Sequence, residues 1–240
     1  MVLQGVPNSQ LVAEGDDLAI KYDNRGIATQ NSINTAWSLL MDPRYEDLRA
    51  CIYSDEAELE RFRQIVVDCS LATEYSDEKL LEVRESRWNK AFVDGNDDMS
   101  DENMDRKATC TLVTLMQAAD SFHAIGHWFT YQKWSQRQFE EAYKSYDDAR
   151  TETDPCLYWY KSELMYLDEF VIPLCKRMQQ LGVFGSTADE CLAFAMSNKT
   201  MWMERGGELV VSMLNKYHGK AAEKARSRKI AKRKSLGDAW

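Results

Sequence analysis

Apolar residues recur along this chain at intervals of three and four, the spacing of one face of an α-helix. Three stretches show it: Leu59, Phe62, Val66, Cys69 and Thr73; Ala108, Leu112, Leu115 and Ala119; and Tyr160, Leu164, Leu167, Val171, Leu174 and Met178. No stretch alternates with a period of two, and only 4 Pro and 11 Gly interrupt the 240 residues. The sequence therefore predicts an all-α protein of about eight or nine helices without a sheet.

Several helix boundaries are marked by capping residues. Asp42-Pro43 and Asp154-Pro155 each place a carboxylate before a proline, which suits the first turn of a helix because it lacks an N–H. Gly182 stands where a glycine would end the long third stretch, and Ser186 with Asp189 resembles a capping box.

The predicted organisation is one helical domain over residues 1–215 with a basic helix or tail over 216–240. An acidic segment, 94–106, lies within the domain. Asp94, Asn96 and Asp98 match calcium-loop positions 1, 3 and 5, but Met99 replaces the glycine of position 6 and Asp105 the glutamate of position 12. A surface loop is favoured over an ion site.

Charge and composition limit the classes of partner. The net charge is −9, with about +6 in residues 220–240 and about −15 in the rest, which argues against a nucleic-acid binder. No apolar run reaches 18 residues, so no membrane span is expected. A secretory signal is not recognised, and the six cysteines form no C-x-x-C pair. These features predict reduced thiols and a cytoplasmic location.

Asp120 is the strongest candidate for a functional residue. His123 and His127 follow it at i+3 and i+7, so on one continuous helix the three would share a face with Leu112 and Met116. A carboxylate on such an apolar face needs a metal, an arginine or hydrogen-bond donors. The alternative is that Asp120 caps or pairs locally and the histidines are satisfied core groups.

Several short matches occur in a consistent order along residues 1–180. They are Gly5-Val-Pro-Asn8, 17–22, 63–67, Ala72-Thr73-Glu74, Ala118-Ala119-Asp120, Trp134, Phe139-Glu140-Glu141, 161–166 and Ile172-Pro173-Leu174. In this pattern the sequence resembles the catalytic domain of 3′,5′-cyclic nucleotide phosphodiesterases, where Gly5 to Asn8 corresponds to the end of H-D-x-x-H-x-G-x-x-N.

The resemblance implies an all-helical hydrolase domain of the HD superfamily, here lacking its first helices, with cAMP or cGMP as substrate. The family holds two divalent metals, usually zinc and magnesium, through histidines and aspartates. The metals activate a bridging hydroxide and neutralise charge on the phosphate, and a histidine protonates the leaving oxygen.

Carried over position by position, the resemblance makes Asp120 a metal ligand and places His123 on the nucleotide side. Glu163 stands where most members have the glutamine that reads the purine edge. Tyr166 matches the aromatic residue that stacks on the base, and Gln138 falls where the opposite, apolar side of that clamp is expected. His127 receives no role.

The sequence also departs from the family. Leu3 replaces the last histidine of the first signature, Thr29 an acidic residue, Glu74 an aspartate, and Asn31-Ser32 a pair of histidines. Because one metal ligand cannot hold a metal pair, we expect this chain to retain neither metal and to be inactive in hydrolysis. A truncated gene model, a pseudoenzyme that binds a nucleotide or a protein partner, and a residual activity remain alternatives. Exposed helical faces would favour association.

Overall fold

The computed structural model describes residues 8–75, 77–94 and 97–237, with side chains described as far as residue 220. No β-strand is present in these ranges, which confirms the all-α prediction. The α-helices are α1 Asn8–Ala13, α2 Asp17–Lys21, α3 Ile27–Leu40, α4 Glu46–Ala50, α5 Glu56–Leu71, α6 Glu78–Trp88, α7 Asp101–Asp120, α8 Trp128–Asp147, α9 Pro155–Met165, α10 Ile172–Leu181 and α11 Ser186–Gly237. No helix of the described residues is long and apolar enough to cross a membrane.

The described part thus contains more α-helices than predicted. The helices α1, α2 and α4 span only five or six residues, too few to show an apolar period. In addition, the third apolar stretch is divided into α9 and α10 by a π-helical turn, Tyr166–Val171. A second π-helical turn, Asn89–Val93, extends α6.

The predicted capping residues mostly act as expected. The Asp42 carboxylate accepts a hydrogen bond from the Arg44 amide at 2.9 Å, and that of Asp154 accepts one from the Cys156 amide at 2.8 Å. Gly182 follows α10 with φ +69°. The helix α11 begins at Ser186, but the Asp189 carboxylate accepts a hydrogen bond from Gln179 Nε2 at 2.6 Å.

The predicted acidic loop is shorter than 94–106, since α7 already begins at Asp101. The Ser100 hydroxyl accepts a hydrogen bond from the Asn103 amide, and acidic residues fill the first turn, where the helix dipole favours them. The Asp98 carboxylate accepts hydrogen bonds from the amide and the hydroxyl of Ser100. The residues at 95 and 96, and with them Asn96 of the calcium-loop pattern, lie outside the described part.

The chain divides into two compact units, and the predicted domain boundary at residue 215 stays a prediction. Unit 1 comprises Met1–Phe122 with Pro173–Glu190, and unit 2 comprises His123–Ile172 with Cys191–Trp240. Each unit joins segments that are distant in sequence, which a reading along the chain cannot anticipate. The helix α11 continues through residue 216, where the basic C-terminal helix or tail was predicted to begin.

The packing of unit 1 corrects the predicted buried face of α7. Leu112 and Leu115 are 39% and 48% exposed, and the buried residues of the helix are instead Asn103, Cys110, Val113, Thr114, Gln117 and Ala118. The Thr114 hydroxyl donates to the Cys110 carbonyl and Gln117 Nε2 donates to the Ala72 carbonyl, so both polar side chains are satisfied inside. A pattern of apolar residues alone therefore identifies the wrong face.

Unit 2 has an aromatic core formed by α8, α9 and α11. Its most buried large side chains include Tyr131, Phe139 and Trp202. Gly206 allows α11 to approach α9, because a Cβ atom at Gly206 would lie 2.8 Å from the Tyr160 ring. Of the third apolar stretch, Leu167 and Val171 are buried in unit 2 and Leu174 and Met178 in unit 1.

Candidate functional site

Asp120 is the last residue of α7, in unit 1, and its side chain is exposed rather than buried. Its Oδ2 atom accepts a hydrogen bond from the Tyr75 hydroxyl. The expectation that Asp120 lies on a buried apolar face is therefore wrong, and its partner in this structure is a hydrogen-bond donor. The reason is the misassigned face of α7, since Met116 on the same stripe is 38% exposed.

Asp120 borders a pocket of about 390 Å³ between α3, α5 and α7. The pocket is lined by Thr29, Ser32, Ile33, Ala36, Val66, Cys69, Ser70, Thr73, Met116, Ala119 and Asp120. Hydroxyl groups and methyl groups dominate this surface, and Asp120 supplies its single carboxylate. Burial, followed by the charge of Asp68, raises the pKa of the Cys69 thiol, so this group stays protonated at neutral pH.

The Glu74 carboxylate is engaged by protein donors. Glu74 Oε1 accepts a hydrogen bond from the Thr29 hydroxyl, and Oε2 accepts one from Asn8 Nδ2 at 3.2 Å. Two positions at which the sequence departs from the family, Thr29 and Glu74, thus interact with each other. The Thr29 hydroxyl and the Asn8 amide therefore satisfy both oxygens of the Glu74 carboxylate within the protein.

The described side chains of unit 1 do not fit a pair of divalent metals. A binuclear centre needs several carboxylates and imidazoles that converge on two cations. Across the described ranges, no group of three or more His, Cys, Asp or Glu side chains is arranged to hold a metal ion. In the pocket, the one carboxylate already accepts the Tyr75 hydroxyl. Leu3, predicted to replace a family histidine, lies outside the described residues.

His123 and His127 do not continue the helix of Asp120, so the predicted three-residue face is wrong. The helix α7 ends at Asp120 and α8 begins at Trp128. His127 is the N-cap of α8, and its Nδ1 atom accepts a hydrogen bond from the Phe129 amide at 3.3 Å. The histidines belong to unit 2 and Asp120 to unit 1. The intervening turn, which contains Gly126, breaks the helical spacing.

Unit 2 brings together two of the residues that the resemblance placed beside the nucleotide. The rings of His123 and Tyr166 are nearly parallel, at 9°, with centroids 6.3 Å apart. The Trp134 ring lies 5.7 Å from His123, and the Arg137 guanidinium lies over Trp134. Tyr166 also stacks with Phe170, with centroids 5.7 Å apart. His123 and Tyr166 are half-buried and Trp134 is exposed, so planar rings are presented at the surface of the unit.

Glu163 is buried and fully engaged within unit 2. It accepts a hydrogen bond from the Tyr131 hydroxyl, and the Ser135 hydroxyl is a further partner. Ser135 in turn accepts the Trp159 indole N–H at 3.1 Å. Burial raises the pKa of the Glu163 carboxyl, and the hydrogen bonds from Tyr131 and Ser135 oppose this shift. Gln138, by contrast, is exposed on α8.

Three residues of these sites were missed by the sequence analysis. Tyr75 directly follows the matched Ala72-Thr73-Glu74, and this position could have indicated a role at the site. Nothing in the sequence pointed to Asp120 as its partner. Tyr131 and Ser135 lie one helical turn apart on α8, a spacing that could have indicated a shared polar contact. Tyr75 lies 45 residues from Asp120 in sequence, and Tyr131 lies 32 residues from Glu163. Local sequence patterns do not extend over such separations.

Comparisons with known proteins agree with this fold. The chain is 27% identical over 179 residues to the probable 3′,5′-cyclic-AMP phosphodiesterase pde-4 of Caenorhabditis elegans, a match that covers 71% of this chain and 26% of that relative. The chain therefore spans about a quarter of the length of this curated relative.

Two solved structures of a choanoflagellate protein share the fold. The phosphodiesterase domain of Salpingoeca rosetta rhodopsin phosphodiesterase matches with a TM-score of 0.63 at 19% identity, covering 89% of this chain and 64% of that one. The phosphodiesterase domain of the RhoPDE fusion protein from the same organism matches with a TM-score of 0.63 at 17% identity, covering 88% and 65%. A family model described as 3′5′-cyclic nucleotide phosphodiesterase matches residues 3–188. This chain belongs to the 3′5′-cyclic nucleotide phosphodiesterase family.

Proposed function

We propose that this chain carries the phosphodiesterase fold without hydrolysing cyclic nucleotides by itself. The supporting observation is the donor set that the described residues place around Asp120: one carboxylate, bonded to Tyr75, in a pocket of hydroxyl and methyl groups. The family reaction needs two cations to activate water and to neutralise the phosphate, and a single carboxylate competes poorly with water for either one. The proposal includes neither zinc nor magnesium as a bound cofactor.

An assay of the purified chain with cAMP and with cGMP, in excess Zn²⁺ and Mg²⁺, tests this proposal. We expect a rate no higher than that of the Asp120→Ala variant. Turnover that Asp120→Ala abolishes would contradict the proposal. The Tyr75→Phe variant is the matched control, because it frees the Asp120 carboxylate without adding a ligand. If Tyr75→Phe gains turnover, the hydrogen bond rather than the donor set prevents hydrolysis, and the argument from the donor set fails.

The second candidate function is binding of a cyclic nucleotide by unit 2. The parallel rings of His123 and Tyr166, with Trp134 beside them, favour it because planar bases stack on aromatic faces. The cyclic-AMP phosphodiesterase name of the nematode relative suggests cAMP as the first ligand to test. Glu163 and Gln138 are included as nucleotide-binding residues only because of the resemblance. The Glu163 carboxylate accepts its hydrogen bond from Tyr131 within the core. We propose a cytoplasmic location for this function, as the scattered spacing of the six cysteines suggests.

Thermal unfolding in millimolar cAMP or cGMP tests the binding function. A ligand at 100 times its Kd stabilises the fold by roughly 2.7 kcal/mol. We expect cAMP to raise the Tm of the wild type and not that of Tyr166→Ala. Tyr158→Ala is the control, since Tyr158 is exposed on α9 and packs outside the His123 and Tyr166 stack. An unchanged wild-type Tm with both nucleotides contradicts binding.

A further inference from the structure

One buried side chain of α11 holds the turn that carries His123. Asn198 is 1% exposed, and its Nδ2 atom donates hydrogen bonds to two backbone carbonyls, of Ala124 at 3.0 Å and of Gly126 at 2.9 Å. All of these residues belong to unit 2. A single amide therefore uses both of its N–H groups on one short segment, residues 123–127.

The middle of the segment depends on this amide because it is shielded from water, whereas Gly126 is half-buried and His127 is exposed. Ala124 and Ile125 are 0% and 3% exposed. The segment is not helical, so no helical N–H pairs with these carbonyls. A buried carbonyl without a donor costs free energy. The helical hydrogen bonds stop where α7 ends, at Asp120. In the turn that follows, the Asn198 side chain supplies donors to the carbonyls in their place.

Two neighbouring turns of α11 reinforce the same contact. Four residues before Asn198, the Phe194 ring meets the His127 ring edge-on at 6.3 Å. Four residues after it, the Trp202 ring packs against Trp128 at 6.3 Å and against Tyr131 at 5.9 Å. The polar contact of Asn198 therefore lies between two aromatic contacts along one face of α11, and together they span the segment and the start of α8.

We infer that Asn198 is a positioning residue that sets the orientation of the His123 ring by fixing the backbone of residues 123–127. His123 lies within that segment, and its ring stacks on Tyr166 and meets Trp134. The significance for ligand binding rests on the nucleotide-binding function proposed above. The positioning itself does not, because it concerns contacts within the chain.

The choice of an asparagine follows from the chemistry of the site. The two carbonyls require two N–H donors on one short side chain, which an amide provides. An aspartate has the same shape but carries no donor, and it would place negative oxygens against the carbonyl oxygens. Within the described residues, Asn198 Oδ1 is buried without a hydrogen-bond partner, so the donor end of the amide accounts for the contact.

The chain offers a direct measurement, since it contains only three histidines, His123, His127 and His218. We propose ¹H–¹³C NMR of the imidazole rings in wild type and in Asn198→Ala, with His218→Gln and His127→Gln used for assignment. The expected result is a shift or broadening of the His123 and His127 signals, with the His218 signal unchanged. Asn215→Ala is the matched control, because Asn215 is exposed on the same helix, and it should leave the His123 and His127 signals unchanged.

Two outcomes would overturn the inference. One is a lower Tm in Asn198→Ala with unaltered His123 signals, which means that Asn198 contributes stability without positioning. The other comes from ¹⁵N relaxation of the wild type, which needs no folded variant: backbone order parameters of residues 123–127 well below those of α11 around Asn198 would show that the contact does not hold the segment. A wild type that binds no nucleotide would contradict the proposed binding function and leave the NMR result unaffected.

Discussion

The Tyr131 hydroxyl donates a hydrogen bond to Glu163 Oε2, and both side chains are almost completely buried in the core of unit 2. Burial raises the pKa of the Tyr131 phenol, and the charge of Glu163 raises it further. Burial also raises the pKa of the Glu163 carboxyl, against the opposing effect of its hydroxyl donors. The carboxylate form of Glu163 is therefore costly in the fold and depends on Tyr131 and Ser135.

We expect Tyr131→Phe to destabilise the protein by about 1–3 kcal/mol at pH 7, because the substitution leaves a buried carboxylate short of a donor. The loss should be smaller near pH 4, where protonation removes the charge. Urea unfolding at both pH values measures it. Tyr158→Phe, at an exposed position of α9, should have little effect. An equal loss for the two variants contradicts the role of the hydrogen bond.

Glu163→Gln should stabilise the protein relative to wild type at neutral pH. A carboxyl whose folded pKa is raised contributes most stability below its unfolded pKa, roughly 4.3, and loses that contribution as the pH rises through the folded pKa. The difference between Glu163→Gln and wild type in the free energy of unfolding should therefore grow from pH 4 to pH 7. Glu141→Gln, exposed on α8, serves as the control. A difference independent of pH would refute this assignment.

Two adjacent glycines of α11 should respond to alanine with opposite signs. A Cβ atom at Gly206 would lie 2.8 Å from the Tyr160 ring, whereas one at Gly207 meets nothing within 4 Å. Gly206→Ala should cost about 1–3 kcal/mol through overpacking. Gly207→Ala should stabilise by about 0.5–1 kcal/mol, because glycine is unfavourable inside a helix. Thermal unfolding of the pair tests both, and the same sign for both would contradict the packing of α9 against α11.

The cysteines should differ in their rate of alkylation. Burial, then the hydrogen bond and charge of Asp154, raise the pKa of the Cys156 thiol to about 11. Cys51 is exposed, and Cys110 and Cys175 are buried. Iodoacetamide at pH 8, followed by mass spectrometry, should modify Cys51 well before Cys156. Asp154→Asn keeps a side chain that caps α9 and should accelerate the reaction of Cys156. Unchanged kinetics in that variant would show that the carboxylate does not control the thiol.

The sequence by itself determined the all-α class and several helix ends, because these depend on local chemistry. Asp42 and Asp154 cap the turns that follow them, and Gly182 takes the left-handed conformation after α10. The sequence also identified the family, because short matching segments follow one another along the chain in the family's order. The fold class followed from both.

The tertiary structure decided which groups are buried and what satisfies them. The buried face of α7 contains Thr114 and Gln117, and the Gln117 side chain bonds to a carbonyl 45 residues away. The turn after Asp120 separates it from His123, so helical spacing could not hold the predicted cluster together. Asp120 lies 45 residues from Tyr75, Glu163 lies 32 from Tyr131, and Asn198 lies 74 from Ala124 in sequence. Such contacts form only when distant segments pack, because hydrogen bonds between buried groups depend on distance in space rather than along the chain.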